Sequence, residues 1–191
     1  MTFADFSKLL FFTGVIVWLI PPFKQYKGRY FLFFLILACL DPIGLFFIFI
    51  LKFYLPGQIQ ILFSYCLLIA LIEKNILRKY WIWILIIALV SFFPTIFQFN
   101  RQEITFVLIL IELGITLIIL KNLITNFALS GKLSIFHVVL LTYEFTAIAK
   151  FLNLLIGFAD ATAFFMLTGL AQIAFGLFFS IFREDKSGLV I

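Results

Sequence analysis

The sequence predicts an all-α fold: a polytopic membrane helix bundle of seven transmembrane helices, N-terminus outside and C-terminus cytoplasmic. Three observations carry that expectation. Of 191 residues, 65% are hydrophobic and 12% charged, where a soluble domain has about 25% charged residues. The apolar residues run in long unbroken blocks rather than in alternating or one-sided patterns. The basic residues gather in the short gaps between the blocks, where they set orientation. In hydrocarbon every backbone polar group needs an internal partner, and at this block length helices supply it.

Seven blocks follow in order, at 2–20, 30–52, 58–73, 80–97, 103–120, 133–156 and 161–182. Each is near the ~20 residues that cross a bilayer as a helix, the third being shortest. The first opens on "TFAD", Thr2 to Asp5, a cap with an acid in the first turn, and stops at Pro21 and Pro22. The second holds "ACLDPIGLFF", Ala38 to Phe47, where Pro42 removes a backbone hydrogen bond to Ala38 and predicts a bend. "YLPGQ", Tyr54 to Gln58, is a turn into the third block. Pro94 predicts a second bend near the outer end of the fourth. Between the fifth and sixth, Lys121 to Lys132 is expected to form the longest loop, closing on "SGK". Residues 1–182 make one transmembrane domain and 183–191 a short cytoplasmic tail. The start "MTFADFSK" has no basic n-region and predicts no cleaved signal peptide.

Orientation comes from counting basic residues. Lys24, Lys27, Arg29, Lys74, Arg78, Lys79, Lys121, Lys132, Arg183 and Lys186 fall on one side, and Lys8, Lys52 and Arg101 on the other. The richer side is expected to be cytoplasmic, which makes the chain a multi-pass protein of the cell (inner) membrane. Tyr26, Tyr30, Tyr80, Trp81 and Trp83 cluster near that boundary, as an aromatic belt does. The net charge of +5 therefore speaks of topology, and no nucleic-acid partner is expected.

Ionisable residues inside the membrane are expensive and mark candidate sites. Four qualify: Asp41, Glu112, Glu144 and Lys150. Asp41 lies 12 residues from Arg29 and 11 from Lys52, Glu112 lies 9 from both Glu103 and Lys121, and Glu144 lies 12 beyond Lys132. All three acids thus sit near the bilayer centre, and Lys150 is ~9 Å nearer the outer face. They are expected to turn into the bundle, with Tyr143, Thr146, Asn153, Thr116 and Gln172 as candidate hydrogen-bond partners. Glu144 and Lys150 are six apart, on different helix faces, so Lys150 is expected to meet Asp41 or Glu112 on another helix. Thr162, Gly169, Gln172 and Gly176 make a small, polar stripe on the seventh segment, suited to close helix packing. Such residues either lock helices together or serve a ligand, proton or ion.

No HExxH, GxSxG, P-loop or GxGxxG stretch occurs, so no enzyme activity is expected and no catalytic residue is assigned. Cys39 and Cys66 lie inside apolar blocks and read as packing residues. His137 reads as an interfacial residue. No metal ligand set and no cofactor are expected.

The spacing within "ITFVLILIELGITLIILKNLI" and "LSIFHVVLLTYEFTAIAKFLNLL", with seven segments, an outer N-terminus and short loops, resembles a group of small bacterial seven-helix membrane proteins. These look like free-standing versions of the seven-helix input module of some histidine kinases. The resemblance is one of layout and covers nearly the whole chain. It implies a non-enzymatic sensory or protein-interaction module, with a membrane or cytoplasmic protein partner or a homo-oligomer in the bilayer. "WLIPPFKQYKGR" is similar to the first Pro-Gln element of PQ-loop transporters. Here, however, Phe23 follows Pro22 and the fifth segment has no proline. A microbial rhodopsin is disfavoured, since the seventh segment has no lysine before Lys186. Two alternatives stand beside the sensory reading: a small transporter or proton-coupled carrier using the midbilayer carboxylates, and a structural subunit of a larger membrane complex.

Overall fold

The fold is that of a computed structural model, which describes residues 3–52, 57–73, 75–82, 85–86, 89 and 100–184. Its elements are α1 (Phe3–Trp18), α2 (Pro21–Lys24), α3 (Phe31–Phe49), α4 (Gly57–Leu71), α5 (Arg101–Ser130), α6 (Ile135–Ile156) and α7 (Ala161–Ile181). Residues 75–82 are also helical. Among the described residues, five spans are long and apolar enough to cross a membrane: α1 continued through α2, then α3, α5, α6 and α7. The fourth predicted block lies largely outside the described residues, as do Lys74, Trp83, Pro94 and the tail beyond Glu184.

Local chemistry sets the helix ends. Pro21 and Pro22, both buried, end α1 and start the single turn of α2, where a missing N–H costs nothing. At the start of α5, Asn100 Oδ1 accepts from the N–H groups of Gln102 and Glu103, and Glu103 Oε2 accepts from the Asn100 N–H at 2.9 Å. Asp160 Oδ1 caps α7 through the N–H groups of Thr162 and Ala163. Gly131 and Gly157 close α5 and α6 at φ 66° and 63°, a region favouring glycine. Pro42 sits inside α3 without ending it.

One expectation is corrected. Lys121 to Ser130 is not a loop; it is the last part of the 30-residue α5. The stretch "KNLITNFALS" contains neither glycine nor proline, so nothing stops the helix before Gly131. At ~1.5 Å per residue α5 is about 45 Å long and outreaches the hydrocarbon layer of about 30 Å. Polar character marked the membrane boundary, and that boundary is not where the helix ends.

Six helices close a ring. Each packs on the next, α1 on α3, α3 on α4, α4 on α5, α5 on α6, α6 on α7 and α7 back on α1. The outward faces are apolar, with Phe12, Ile16, Phe49, Leu117 and Leu167 among the exposed side chains, while Ser64, Glu112, Asn122, His137 and Glu144 are buried. Polar-inside, apolar-outside is the arrangement a lipid solvent selects. Gly169 and Gly176 bring α7 close to α1: a Cβ at Gly169 meets Leu10 Cδ2 at 2.6 Å, and one at Gly176 meets Val17 Cγ1 at 2.7 Å.

One end of the ring, where α2 sits, is filled. Trp18, Phe33, Phe34, Phe136, Leu140 and Phe179 are buried there, with Phe34 and Phe136 ring centroids 4.9 and 5.3 Å from that of Phe179. Tyr30 belongs to this plug at 1% exposure, rather than to a lipid-facing belt; Tyr26, Tyr80 and Trp81 are exposed. Buried Gln25 donates through Nε2 to the carbonyls of Phe179 and Phe182, closing the end of α7. His137 is fully buried, its Nδ1 2.8 Å from Ser134 Oγ and its Nε2 3.6 Å from Glu184 Oε1. Cys39 and Cys66 are free thiols.

Candidate functional site: a polar cavity at the ring centre

Above the aromatic plug the ring is hollow. A cavity of about 870 Å³ runs from the level of Trp18 to the opposite end, where Gly57, Arg101 and Leu154 line it. All six ring helices contribute to its wall.

Asp41, Glu112, Glu144 and Lys150 all line this one cavity, together with Tyr143 and Gln172. They come from α3, α5, α6 and α7. Glu144 and Lys150 share it although six residues separate them, because the α6 wall is broad and includes Tyr143, Ala147, Phe151 and Leu154 as well.

Inside the cavity the charges fall into two groups. Glu112 and Glu144 are 6% and 2% exposed and act on each other electrostatically across the same part of the cavity. Ser64 Oγ donates to Glu112 Oε1 at 3.1 Å, and Glu144 Oε2 is buried with no hydrogen-bond partner among the described residues. In the second group, Asp41 and Lys150 act on each other electrostatically without closing a direct ion pair among the described residues. The Lys150 ammonium lies 5.5 Å from the Phe165 ring centroid, a cation–π distance.

The remaining predicted partners do other work. Thr116 Oγ1 donates to the Glu112 carbonyl at 2.8 Å, and Thr146 Oγ1 to the Tyr143 carbonyl at 2.6 Å. Both satisfy themselves on their own helix, as hydroxyls in apolar surroundings do. Asn153 Oδ1 accepts from the Ala159 N–H at 2.9 Å and ties down the turn after α6. Gln172 supplies its backbone carbonyl to Trp18 Nε1 at 3.1 Å, so the Trp18 ring forms a fixed floor. That ring sits 5.0 Å from Tyr143.

Thr105, on the same face of α5 as Glu112, also lines the cavity, as do Ser64, Gln60 and Arg101, which the sequence did not mark as site residues. Gln60 and Ser64 carry the one signal that was legible, a polar i, i+4 pair on a short apolar helix. Among the described residues no three His, Cys, Asp or Glu side chains converge as a metal-ligand set. No protein-family model, curated protein or solved structure matches the chain.

Proposed function

We propose that this protein is a non-enzymatic carrier of the inner membrane that takes a small polar solute into the central cavity. The observation that supports this reading is the gathering of Asp41, Glu112, Glu144 and Lys150 on one cavity of about 870 Å³. Helices that need only to lock together have no use for such a volume, and known small-molecule sites span about 300–1,000 Å³. The cavity reaches the Arg101 end and stops at Trp18, the arrangement of a carrier open to one side. By the distribution of Lys and Arg, that open side is the outer one. The reading as a subunit of a larger complex loses its motive, because these side chains face the chain's own cavity.

One observation favours the sensory reading: among the described residues, the aromatic plug closes the cavity at Trp18. A sensor binds and does not pass its ligand; a carrier opens the plug in turn. Cysteine accessibility separates them. In a Cys39→Ser, Cys66→Ser background, Gln60→Cys and Gln172→Cys are labelled in sealed vesicles with a membrane-impermeant cationic thiol reagent. A carrier gives labelling of Gln172→Cys from both faces. Labelling from one face alone supports the sensor, and labelling from neither removes both readings.

A further inference from the structure

We propose that the Glu112–Glu144 pair is an exchange site at which a shared proton competes with an ammonium-type organic cation. This rests on the cavity being a solute site, and it adds the class of solute and the ion exchanged for it.

The acid pair is built to hold one positive charge. Both carboxyls are buried on one cavity, Ser64 fixes one of them, and Glu144 Oε2 is left buried without a hydrogen-bond partner among the described residues. Adjacent ionised carboxylates repel strongly in a poorly solvated site, so the pair needs either a proton or another cation. Among the described residues, no cation fills that place. Lys150 answers to Asp41 and lies against Phe165, and Arg101 is at the far mouth, exposed.

Lys150 also shows what the cavity accepts: an alkylammonium on an aromatic face beside a carboxylate. At the acid pair the same ingredients recur, with Tyr143 next to Glu144 and Trp18 5.0 Å from the Tyr143 ring. Aromatic faces and carboxylates together select organic cations over anions and neutral sugars. The volume suits a cation bearing apolar substituents and exceeds what a bare inorganic ion fills.

The exchange balances. The occupied pair carries one proton and one negative charge. As the cation enters, the proton passes to a cavity water as hydronium, the pair becomes two carboxylates, and the cation restores the same net charge. No covalent bond of the solute changes. Among the described residues, the other charged or titratable groups on this cavity are Asp41 from α3, Tyr143 and Lys150 from α6, and Arg101 of α5 at the far mouth. Ser64 from α4, Trp18 from α1 and Gln172 from α7 complete its surroundings and do not titrate.

The test uses the full chain in detergent micelles, titrated with benzyltrimethylammonium in weakly buffered solution. Tryptophan fluorescence reads binding and a pH indicator reads proton release. The expected result is about one proton released per cation bound, with affinity rising roughly tenfold per pH unit while the pair is protonated. Glu144→Gln is expected to lose the release and to bind at least about tenfold more weakly, one unit of that linkage. Glu112→Gln repeats the test from the other carboxyl, and Asp41→Asn keeps the proton release. Circular dichroism shows which variants fold; if neither glutamine variant does, the pH dependence of the wild-type chain decides. Cation binding without proton release, or release unchanged in a folded glutamine variant, overturns the proposal. So does binding of glycine betaine with none of benzyltrimethylammonium, an outcome that leaves the carrier reading standing. Two-sided cysteine labelling without cation binding has the same meaning, whereas one-sided labelling with proton release removes the carrier and keeps the exchange site.

Discussion

The two ends of the ring are made from the same six helices and different material. At the α2 end, Phe33, Phe34, Phe136 and Phe179 are fully buried; Gln25 is tied to two carbonyls and Asn122 Nδ2 to the Tyr30 hydroxyl at 3.3 Å, while His137 Nε2 makes no hydrogen bond among the described residues and lies 3.6 Å from Glu184 Oε1. At the Arg101 end the helices stand apart and enclose Asp41, Glu112, Glu144 and Lys150. Trp18 and Tyr143 are the boundary, their rings 5.0 Å apart, with Trp18 also 6.4 Å from Phe34 and 6.3 Å from Phe179. The difference separates two roles of polarity in a membrane. In the plug the space is filled by aromatic rings and Gln25 and Asn122 are fully engaged; at the other end the space is kept and a buried carboxyl oxygen of Glu144 has no hydrogen-bond partner among the described residues.

The largest effect that tests this contrast is expected at Phe136. Phe136→Ala removes a fully buried ring that touches Tyr30, Phe34, His137 and Phe179. A lipid-embedded unfolded chain loses little of the transfer term. The void alone costs about 2 kcal/mol, at about 24 cal/mol per Å³ for a space on the order of 100 Å³. Leu154→Ala, in the cavity wall and half exposed, is expected to stay within about 0.5 kcal/mol. Unfolding both by titration with a denaturing detergent, followed by circular dichroism, checks it; equal losses would erase the distinction between plug and cavity.

Sequence reasoning reached the cavity half further than the plug. Three acids at one depth on three segments had to turn away from lipid, and they share one cavity with Lys150. Depth counting does not reveal which acid touches which; that depends on helix rotation, and it paired Glu112 with Glu144 rather than either with Lys150. The plug was illegible for a different reason. With 29 phenylalanines in the chain, nothing in the letters separates buried Phe34 from Leu35 or Phe46 facing lipid, because both environments are apolar. Tyr30 and His137 read as interfacial for the same reason: both stand near a membrane boundary, and only tertiary packing places them inside.

A second effect, of comparable size, is expected where the plug is polar. Gln25→Ala leaves the carbonyls of Phe179 and Phe182 without their donor, a loss of about 1–3 kcal/mol for buried groups. Gly176→Ala tests the seam between α1 and α7. Its methyl meets Val17 Cγ1 at 2.7 Å and Trp18 Nε1 at 3.3 Å, so α1 has to shift, at about 1–3 kcal/mol. Because Trp18 floors the cavity, this variant is also expected to change the Trp fluorescence response to benzyltrimethylammonium, which Gln25→Ala leaves in place.

The smallest effect belongs to the rim of the plug and bounds the comparison from below. Arg29 Nη2 reaches Glu73 Oε1 at 3.5 Å, with the side chains 39% and 56% exposed, and donates to Asn122 Oδ1 at 3.1 Å. A solvent-exposed pair of this kind contributes about 0–1 kcal/mol and is screened by salt. Glu73→Gln is therefore expected to cost less than about 0.5 kcal/mol, and less still at high salt. Asn122→Ala strips both Arg29 and the buried Tyr30 hydroxyl of a partner and is expected to cost about 1 kcal/mol more. Equal losses, both vanishing in salt, would mean that Tyr30 gains nothing from Asn122. The paired polarity of the plug would then be a surface effect, and aromatic packing alone would hold that end shut.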